Sequence, residues 1–474
     1  MITVSFIWTV AIILIIVVAS KSAKECFQLL LSFLLVLDLN QIKSTAAVIG
    51  SQEINCTDLV TGCLIVLSCL SIVGRKRIDK HLVMSCLILL SVLVLGCIWN
   101  MIFPIDDKTI ISGQSWDDFY YGRIATVQPK VTSYSVLILF RVFGFCAIMC
   151  AATLFMSQED YGKIGRRVFN TTKIQVIFAA VELLEKILLR SNKVVQIAQT
   201  IFPSTSSVVT TMVSRGSLTA IQGFTREFGH LAYALALFVI LGLYLRASDS
   251  LRNQNKDIAW IILALVLMLL SGAFASLVYF VIIIGLYFGL AQVEMRRCNR
   301  TKPKKKIVHV RVMTIIIILI TFIALTLFND SILHDSYYME KFFNVWDNLQ
   351  YLVQRKYYLI VGTIDAIPRA ISISESIWIF LRRPLLGVGL GVMAPYSGIG
   401  YMLANCGLAG TIAWFSMIRR YAYVVNPNCN TRFLLFLIVA TGLLLSGQSM
   451  MYACVWLLFG GLLKDNLFER NAFF

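Results

Sequence analysis

The chain has 474 residues, of which 58% are hydrophobic and 14% charged, and its mean hydropathy is +0.79. Ordinary soluble domains carry about 25% charged residues, so a soluble enzyme and a disordered chain are both excluded: water offers no place to hide this much apolar surface. The net charge of +17 does not imply nucleic acid, because basic residues collect in the cytoplasmic loops of any polytopic membrane protein.

The apolar residues arrive in blocks of roughly the 20 residues that cross a bilayer core of about 30 Å. Spans are predicted at 3–20, 26–39, 59–74, 82–103, 135–156, 174–189, 229–246, 258–271, 274–293, 307–328, 398–418, 433–446 and 449–463. The blocks are solidly apolar rather than alternating, which excludes a β-barrel. The expected fold is all-α, a polytopic transmembrane helical bundle of about 12–13 spans. It forms a single transmembrane domain over 1–474, with amphipathic helices in a long outside loop. The block from Ile2 to Ser20 lacks a basic leader and a cleavage site, so it reads as a retained helix rather than a signal peptide. The twelve cysteines include no CxxC pair and lie mostly in apolar stretches, so no disulfide framework is expected.

Five basic clusters set the orientation. They are Arg75, Lys76, Arg77 and Lys80; Lys163, Arg166, Arg167 and Lys173; Arg246, Arg252 and Lys256; the run from Arg296 to Lys306; and Arg419, Arg420 and Arg432. Thirteen spans put all five on one side, read as cytoplasmic. Segments 104–134, 190–228 and 329–397 then lie outside. The last contains Trp346, Tyr351, Tyr357, Tyr358 and Trp378 at spacings that suit helices lying on a membrane surface.

Those outside segments run against the charge bias. Arg190, Lys193, Arg215 and Arg226 lie in the second, and Lys341, Arg355, Lys356, Arg369, Arg382 and Arg383 in the third. Guanidinium forks suit the phosphates of a lipid-linked diphosphate; contact with phospholipid headgroups is the alternative. None of the four histidines has a ligand-spaced partner, and there is no phosphate-binding loop, dinucleotide fingerprint or nucleophile elbow, so no metal and no cofactor are expected. Few charges fall inside spans. Glu182 and Lys186 are i,i+4 partners beside Glu185, while Arg141 and Arg311 lie near span ends, where they can snorkel. Only Glu182 and Glu185 could serve a proton-coupled carrier, and no matching half repeats them.

Two stretches carry a resemblance. The first runs from Arg215 through Gly223, Arg226, Glu227 and His230. The second comprises Arg369, then Arg382-Arg383-Pro384-Leu-Leu-Gly387-Val-Gly389-Leu-Gly391, then Asn405-Cys-Gly407-Leu-Ala-Gly410. Together they resemble the O-antigen polymerase (Wzy) and O-antigen ligase superfamily. In that superfamily an outside arginine precedes a P-L-L-G-x-G run by about fifteen residues, and a helix with a small-polar–G-L-x-G pattern follows. Gly223 to His230 is similar to a G-x-x-x-E-P-x-H pattern, with Phe228 in the proline position.

The resemblance implies a metal-independent membrane glycosyltransferase of the bacterial cytoplasmic (inner) membrane. It would polymerise oligosaccharide repeat units carried on undecaprenyl diphosphate into O-antigen or capsular polysaccharide at the outer face. It further implies that Arg215 and Arg369 clamp the diphosphate, with Glu227 or His230 as the base or orienting the acceptor. Arg226, Arg382 and Arg383 would assist in binding, and Asp365 and Glu375 stand in reserve. A flippase and a chain-length regulator would be its protein partners. The ligases carry a His-Asn pair where this chain has Tyr396 and Ser397, which favours a polymerase over a ligase, or a diverged member. Ligase-type transfer to another acceptor and a polysaccharide-related transporter or flippase remain as alternatives.

Overall fold

A computed structural model describes residues 3–40, 42, 44–49, 52–73, 78–109, 127–203, 214–215, 218–219, 221–225, 228–247, 255–271, 276, 279–280, 282–284, 345–360 and 367–425. The expected spans at 307–328, 433–446 and 449–463, and the basic run from Arg296 to Lys306, lie outside the described residues. The described residues are helical almost throughout. The helices are α1 (Val4–Ala19), α2 (Ala23–Leu39), α3 (Cys56–Val73), α4 (Lys80–Ile102), α5 (Ser133–Phe155), α6 (Gln158–Leu188), α7 (Lys193–Ile201), α8 (Phe228–Ala247), α9 (Asn255–Leu269), α10 (Leu349–Val353), α11 (Ile367–Arg382) and α12 (Gly398–Val425). Two small antiparallel hairpins interrupt them, β1 (Thr45–Ile49) with β2 (Gln52–Asn55) and β3 (Ser214–Arg215) with β4 (Leu218–Thr219). Among the described residues five helices are long and apolar enough to cross a membrane: α3, α4, α5, α8 and α12. The protein is an all-α, multi-pass membrane protein.

The helices pack as a row. α9 lies on α8, α8 on α6, α6 on α2, α2 on α3, α3 on α5, α5 on α4, α4 on α12, and α12 on α11. α8 is apolar on every side, and its residues from Leu231 to Leu245 are all buried, as expected of a helix with no polar face. Phe238 of α8 stacks on Phe169 of α6 at 4.4 Å between ring centroids, and Phe145 of α5 stacks on Trp414 of α12 at 6.0 Å. α3 and α4 instead turn many apolar side chains outward, among them Leu70, Val73, Leu87 and Met101, the surface that lipid covers in a membrane.

Four aspartates tie the row together, each at a helix N-terminus and each holding a cation from another helix. Asp58 in the first turn of α3 pairs with Arg141 of α5 at 2.8 Å. Asp79 caps α4 by accepting from the Leu82 amide at 2.7 Å and pairs with Arg420 of α12 at 3.0 Å. Asp160, in a capping box with Ser157 at the start of α6, pairs with Lys24 of α2 at 2.8 Å. Asp257 in the first turn of α9 pairs with Lys173 of α6 at 2.7 Å. The positive end of the helix dipole favours an anion at each place, and a carboxylate this close to the apolar layer needs a counter-cation.

Asp79, Asp160 and Asp257 join chain segments that carry or flank the basic clusters. Those segments therefore lie at one end of the row, called here the basic end; the other is the far end. Arg141 departs from the expected snorkelling, because an acidic partner on the neighbouring helix holds it. The third basic cluster is not in a loop either. α6 begins at Gln158 rather than near 174, and its 31 residues extend about 46 Å at 1.5 Å per residue. That exceeds a bilayer core, so the turns bearing Lys163, Arg166 and Arg167 project beyond it.

Burial works against ionisation of Asp160, but the Ser157 hydrogen bonds and the Lys24 ammonium outweigh it and bring the carboxyl down to about 2. A carboxyl held below its unfolded value, near 3.9, contributes stability above that value and loses it as pH falls toward 2. In thermal unfolding in detergent between pH 5 and 2, Asp160→Asn should therefore flatten the acid-side fall in midpoint relative to wild type. An unchanged profile would show that the pair contributes nothing.

Candidate functional site

The Pro384–Gly391 run and the Asn405–Gly410 pattern meet in one structural device. α12 breaks at Gly407, whose φ of 60° and ψ of −168° are not helical. The chain from Pro384 to Gly389 fills the break with its own backbone. The amides of Val388 and Gly389 donate to the carbonyls of Ala404 and Asn405, each at 3.0 Å. The amides of Leu408 and Ala409 donate back to the carbonyls of Pro384 and Leu385 at 2.8 and 3.0 Å. An interrupted helix at membrane depth must have its freed backbone groups satisfied by protein, and this exchange satisfies them. Contact is backbone on backbone: a Cβ on Gly387 would lie 2.5 Å from the Asn405 carbonyl carbon, and one on Gly407 would collide with the Leu385 carbonyl.

Asn405 completes the clasp. Its carboxamide oxygen accepts from the Met393 amide at 2.7 Å, and its nitrogen donates to the carbonyls of Met393 and Tyr401 at 2.9 and 2.8 Å. The small-polar position of the motif is thus spent on the fold.

At the outer edge of this unit sits a charged cluster at the far end. Glu375 of α11 is fully buried and pairs with Arg355 at 2.6 Å, and it also accepts from the hydroxyls of Tyr357 and Thr109. Arg355 donates in addition to the Lys108 carbonyl at 3.2 Å and lies 3.8 Å from the Trp378 ring centroid. One carboxylate thereby joins 108–109, 355–357 and α11.

Arg355 adopts a left-handed backbone, φ 56°, at the end of α10. The Lys356 amide donates to Tyr351 and the Arg355 amide to Leu352, the helix-ending geometry that ordinarily favours glycine. Its ion pair offsets the strain. Burial opposes the charge on Arg355, but Glu375 more than compensates and raises its pKa. Burial and the Glu375 charge push the Tyr357 phenol up, so it stays protonated and donates.

Arg382 and Arg383 flank the same cluster. Arg382 faces Asp107 at 3.5 Å, and Arg383 donates to the Phe103 carbonyl at the end of α4. The structure therefore brings Glu375, Arg382 and Arg383 together, with Glu375 closed off inside a satisfied ion pair. Sequence spacing alone missed the residues that complete the cluster, Arg355, Tyr357, Thr109 and Trp378. Arg355 stood out only as one of several outside cations, and nothing local pairs it with a glutamate twenty residues on.

The first stretch hangs on α6. Glu182, fully buried, pairs with Lys186 at 2.6 Å, the i,i+4 pairing read from the sequence. It also accepts from the backbone amides of Gln222 at 3.0 Å and Gly223 at 2.6 Å. Gln175 accepts from the Phe224 amide at 3.3 Å. Glu185 accepts from the Ser191 hydroxyl and from the amides of Lys193 and Val194 at 2.7 and 2.9 Å. Both glutamates therefore anchor the segments that follow α6.

His230 is half-buried in the first turn of α8, just after that anchored loop. Arg215 lies in β3 and Arg369 in the first turn of α11, but their side chains lie outside the described residues. Arg226, Glu227 and Asp365 lie outside them altogether. Among the described residues no group of three or more His, Cys, Asp or Glu could hold a metal ion, and all nine described cysteines are free. Compared with known proteins, the chain matches no family model, no curated protein and no solved structure.

Proposed function

We propose that the protein polymerises oligosaccharide repeat units carried on undecaprenyl diphosphate, at the outer face of a bacterial cytoplasmic membrane. The observation that carries this reading is the clasp. The two motif halves behind the resemblance, Pro384–Gly391 and Asn405–Gly410, interlock through three backbone hydrogen bonds, with a fourth to Ala404 just before the second half, so their spacing answers to one physical unit rather than two coincidental glycine patterns. That unit fixes the C-terminal end of α11, whose first turn carries Arg369, at the far end of the row.

In this mechanism a sugar hydroxyl of one lipid-linked unit attacks the anomeric carbon of the growing glycan. The C–O bond to the lipid diphosphate breaks, the diphosphate leaves with the electron pair, and the hydroxyl proton passes to a base. Arg215 and Arg369 stabilise the departing charge, Arg226 assists, and Glu227 or His230 takes the proton. The bond energy resides in the donor, so no nucleotide is consumed. A flippase supplies donor units and a chain-length regulator sets where polymerisation stops. A transporter reading needs free carboxylates within the membrane, whereas Glu182 and Glu185 are occupied by loop amides and a lysine.

Alanine and lysine variants at Arg215 and Arg369 test the clamp, scored by long-chain glycan in cells with membrane insertion checked by protein level. Alanine should cut polymer on the order of 10²-fold, and lysine less, because it keeps the charge and loses the fork. Full-length polymer from well-inserted alanine variants would sink the reading. Accumulation of single repeat units marks a polymerase, whereas unattached long chains mark a ligase.

A further inference from the structure

At the far end, two arginines lie beside two tryptophans. The Arg382 guanidinium is 5.2 Å from the Trp378 ring centroid, and the Arg383 guanidinium is 6.0 Å from that of Trp99. Arg382 faces Asp107 at 3.5 Å with both side chains more than half exposed, at 60% and 53%, and such a pair contributes little in water. The Arg383 guanidinium donates to the Phe103 carbonyl and, among the described residues, meets no carboxylate.

Next to these cations runs an apolar stripe that no described helix covers. Ile377, Leu381 and Leu385 are 52%, 69% and 67% exposed. The stripe continues onto α12, because the Ala409 amide donates to the Leu385 carbonyl and Ile412 is exposed. Trp99 and Phe103 add their rings, 4.5 Å apart between centroids, at the end of a membrane-spanning α4. Tryptophan at the end of a span marks the headgroup level.

The charge balance selects the headgroup. Two guanidiniums against the Asp107 carboxylate leave a single positive charge, since the Arg355–Glu375 pair is self-neutralised and the residues flanking Asp107, Asp106 and Lys108, carry opposite charges. A phosphodiester carries one negative charge and matches it. A diphosphate carries more and would press against the Asp107 carboxylate.

We infer that this corner is a binding site for an anionic phospholipid. Arg382 and Arg383 hold the phosphodiester, and an acyl chain lies along Ile377, Leu381 and Leu385. The inference requires only that the chain sit in a membrane, so it stands apart from the polymerase reading.

Native mass spectrometry of the full-length protein in detergent tests it, with phosphatidylglycerol and phosphatidylcholine of matched chains as probes. The wild type should retain one phosphatidylglycerol under activation that strips phosphatidylcholine. Retention should fall at least about tenfold in the Arg382→Ala/Arg383→Ala double variant, the loss of roughly 1.4 kcal/mol of binding. The double lysine variant keeps the charge and guards against a folding defect; its retention should be intermediate, because the fork is lost. Asp107→Asn should raise retention. Equal retention by the double alanine variant, or equal retention of phosphatidylcholine by the wild type, overturns the inference. So does displacement by equimolar undecaprenyl diphosphate, which would assign the corner to the glycan donor.

Discussion

Gly407→Ala should destabilise the protein more than any other single-methyl addition among the described glycines. At φ 60° and ψ −168° the backbone occupies a region essentially confined to glycine, and forcing a side chain there costs about 1–3 kcal/mol. The added methyl also collides with the Leu385 carbonyl, and Leu385 cannot retreat without breaking its hydrogen bond to the Ala409 amide. Overpacking of this kind costs a further ~1–3 kcal/mol. The two effects add because relieving either one pulls the Pro384–Gly391 run out of the α12 break. Each amide or carbonyl left unmatched in the membrane then costs several kcal/mol more. Gly62 of α3 is the control, since a Cβ there meets nothing within 4 Å; Gly62→Ala should be neutral or stabilise by up to about 1 kcal/mol. Thermal unfolding in detergent and the yield of monodisperse protein report both. A Gly407→Ala protein that melts with the wild type would mean that the helix break is not rigidly held.

Glu375→Ala should produce the second large loss, of about 3–5 kcal/mol, the cost of removing one partner from a buried ion pair. The carboxylate is fully buried, and its removal takes a shared acceptor from the Arg355 guanidinium, the Tyr357 phenol and the Thr109 hydroxyl at once, leaving Arg355 only the Lys108 carbonyl and the Trp378 ring beside it. Arg355 then also lacks the interaction that offsets its left-handed backbone. Arg355→Gly removes the carboxylate's cation but relieves that backbone and leaves Glu375 its bonds from Tyr357 and Thr109, so it should cost less than Glu375→Ala. The double variant should cost less than the sum of the two, with a coupling of about 0.5–3 kcal/mol. Hydrogen exchange separates this local role from a global one: Glu375→Ala should deprotect 355–360 before it deprotects α4 or α12. Uniform deprotection, or additivity of the two changes, would remove the cluster as the fastener of the far end.

Class and composition were legible without coordinates because the bilayer imposes them. A chain this apolar, in blocks of span length, can be satisfied only by helices, and the observed bounds of α1, α3, α4, α5 and α8 fall within a few residues of the expected spans. The Glu182–Lys186 pair was legible too, because an i,i+4 spacing on a helix is a local geometric fact. Arg215 and Arg369 as a diphosphate clamp rest on the resemblance alone.

Which charge meets which was decided by tertiary structure. Arg141 finds Asp58, Arg420 finds Asp79, and Arg355 finds Glu375 across loops or whole helices, and no periodicity encodes such a partner. The glycines of the Pro384–Gly391 run could be read as a pattern, but not as the filling of a break at Gly407, because backbone hydrogen bonds between distant segments carry no residue-type signature. Hydropathy acts residue by residue and is written in the chain. Pairing in a low-dielectric layer depends on which helices adjoin, and only the folded row of helices sets that.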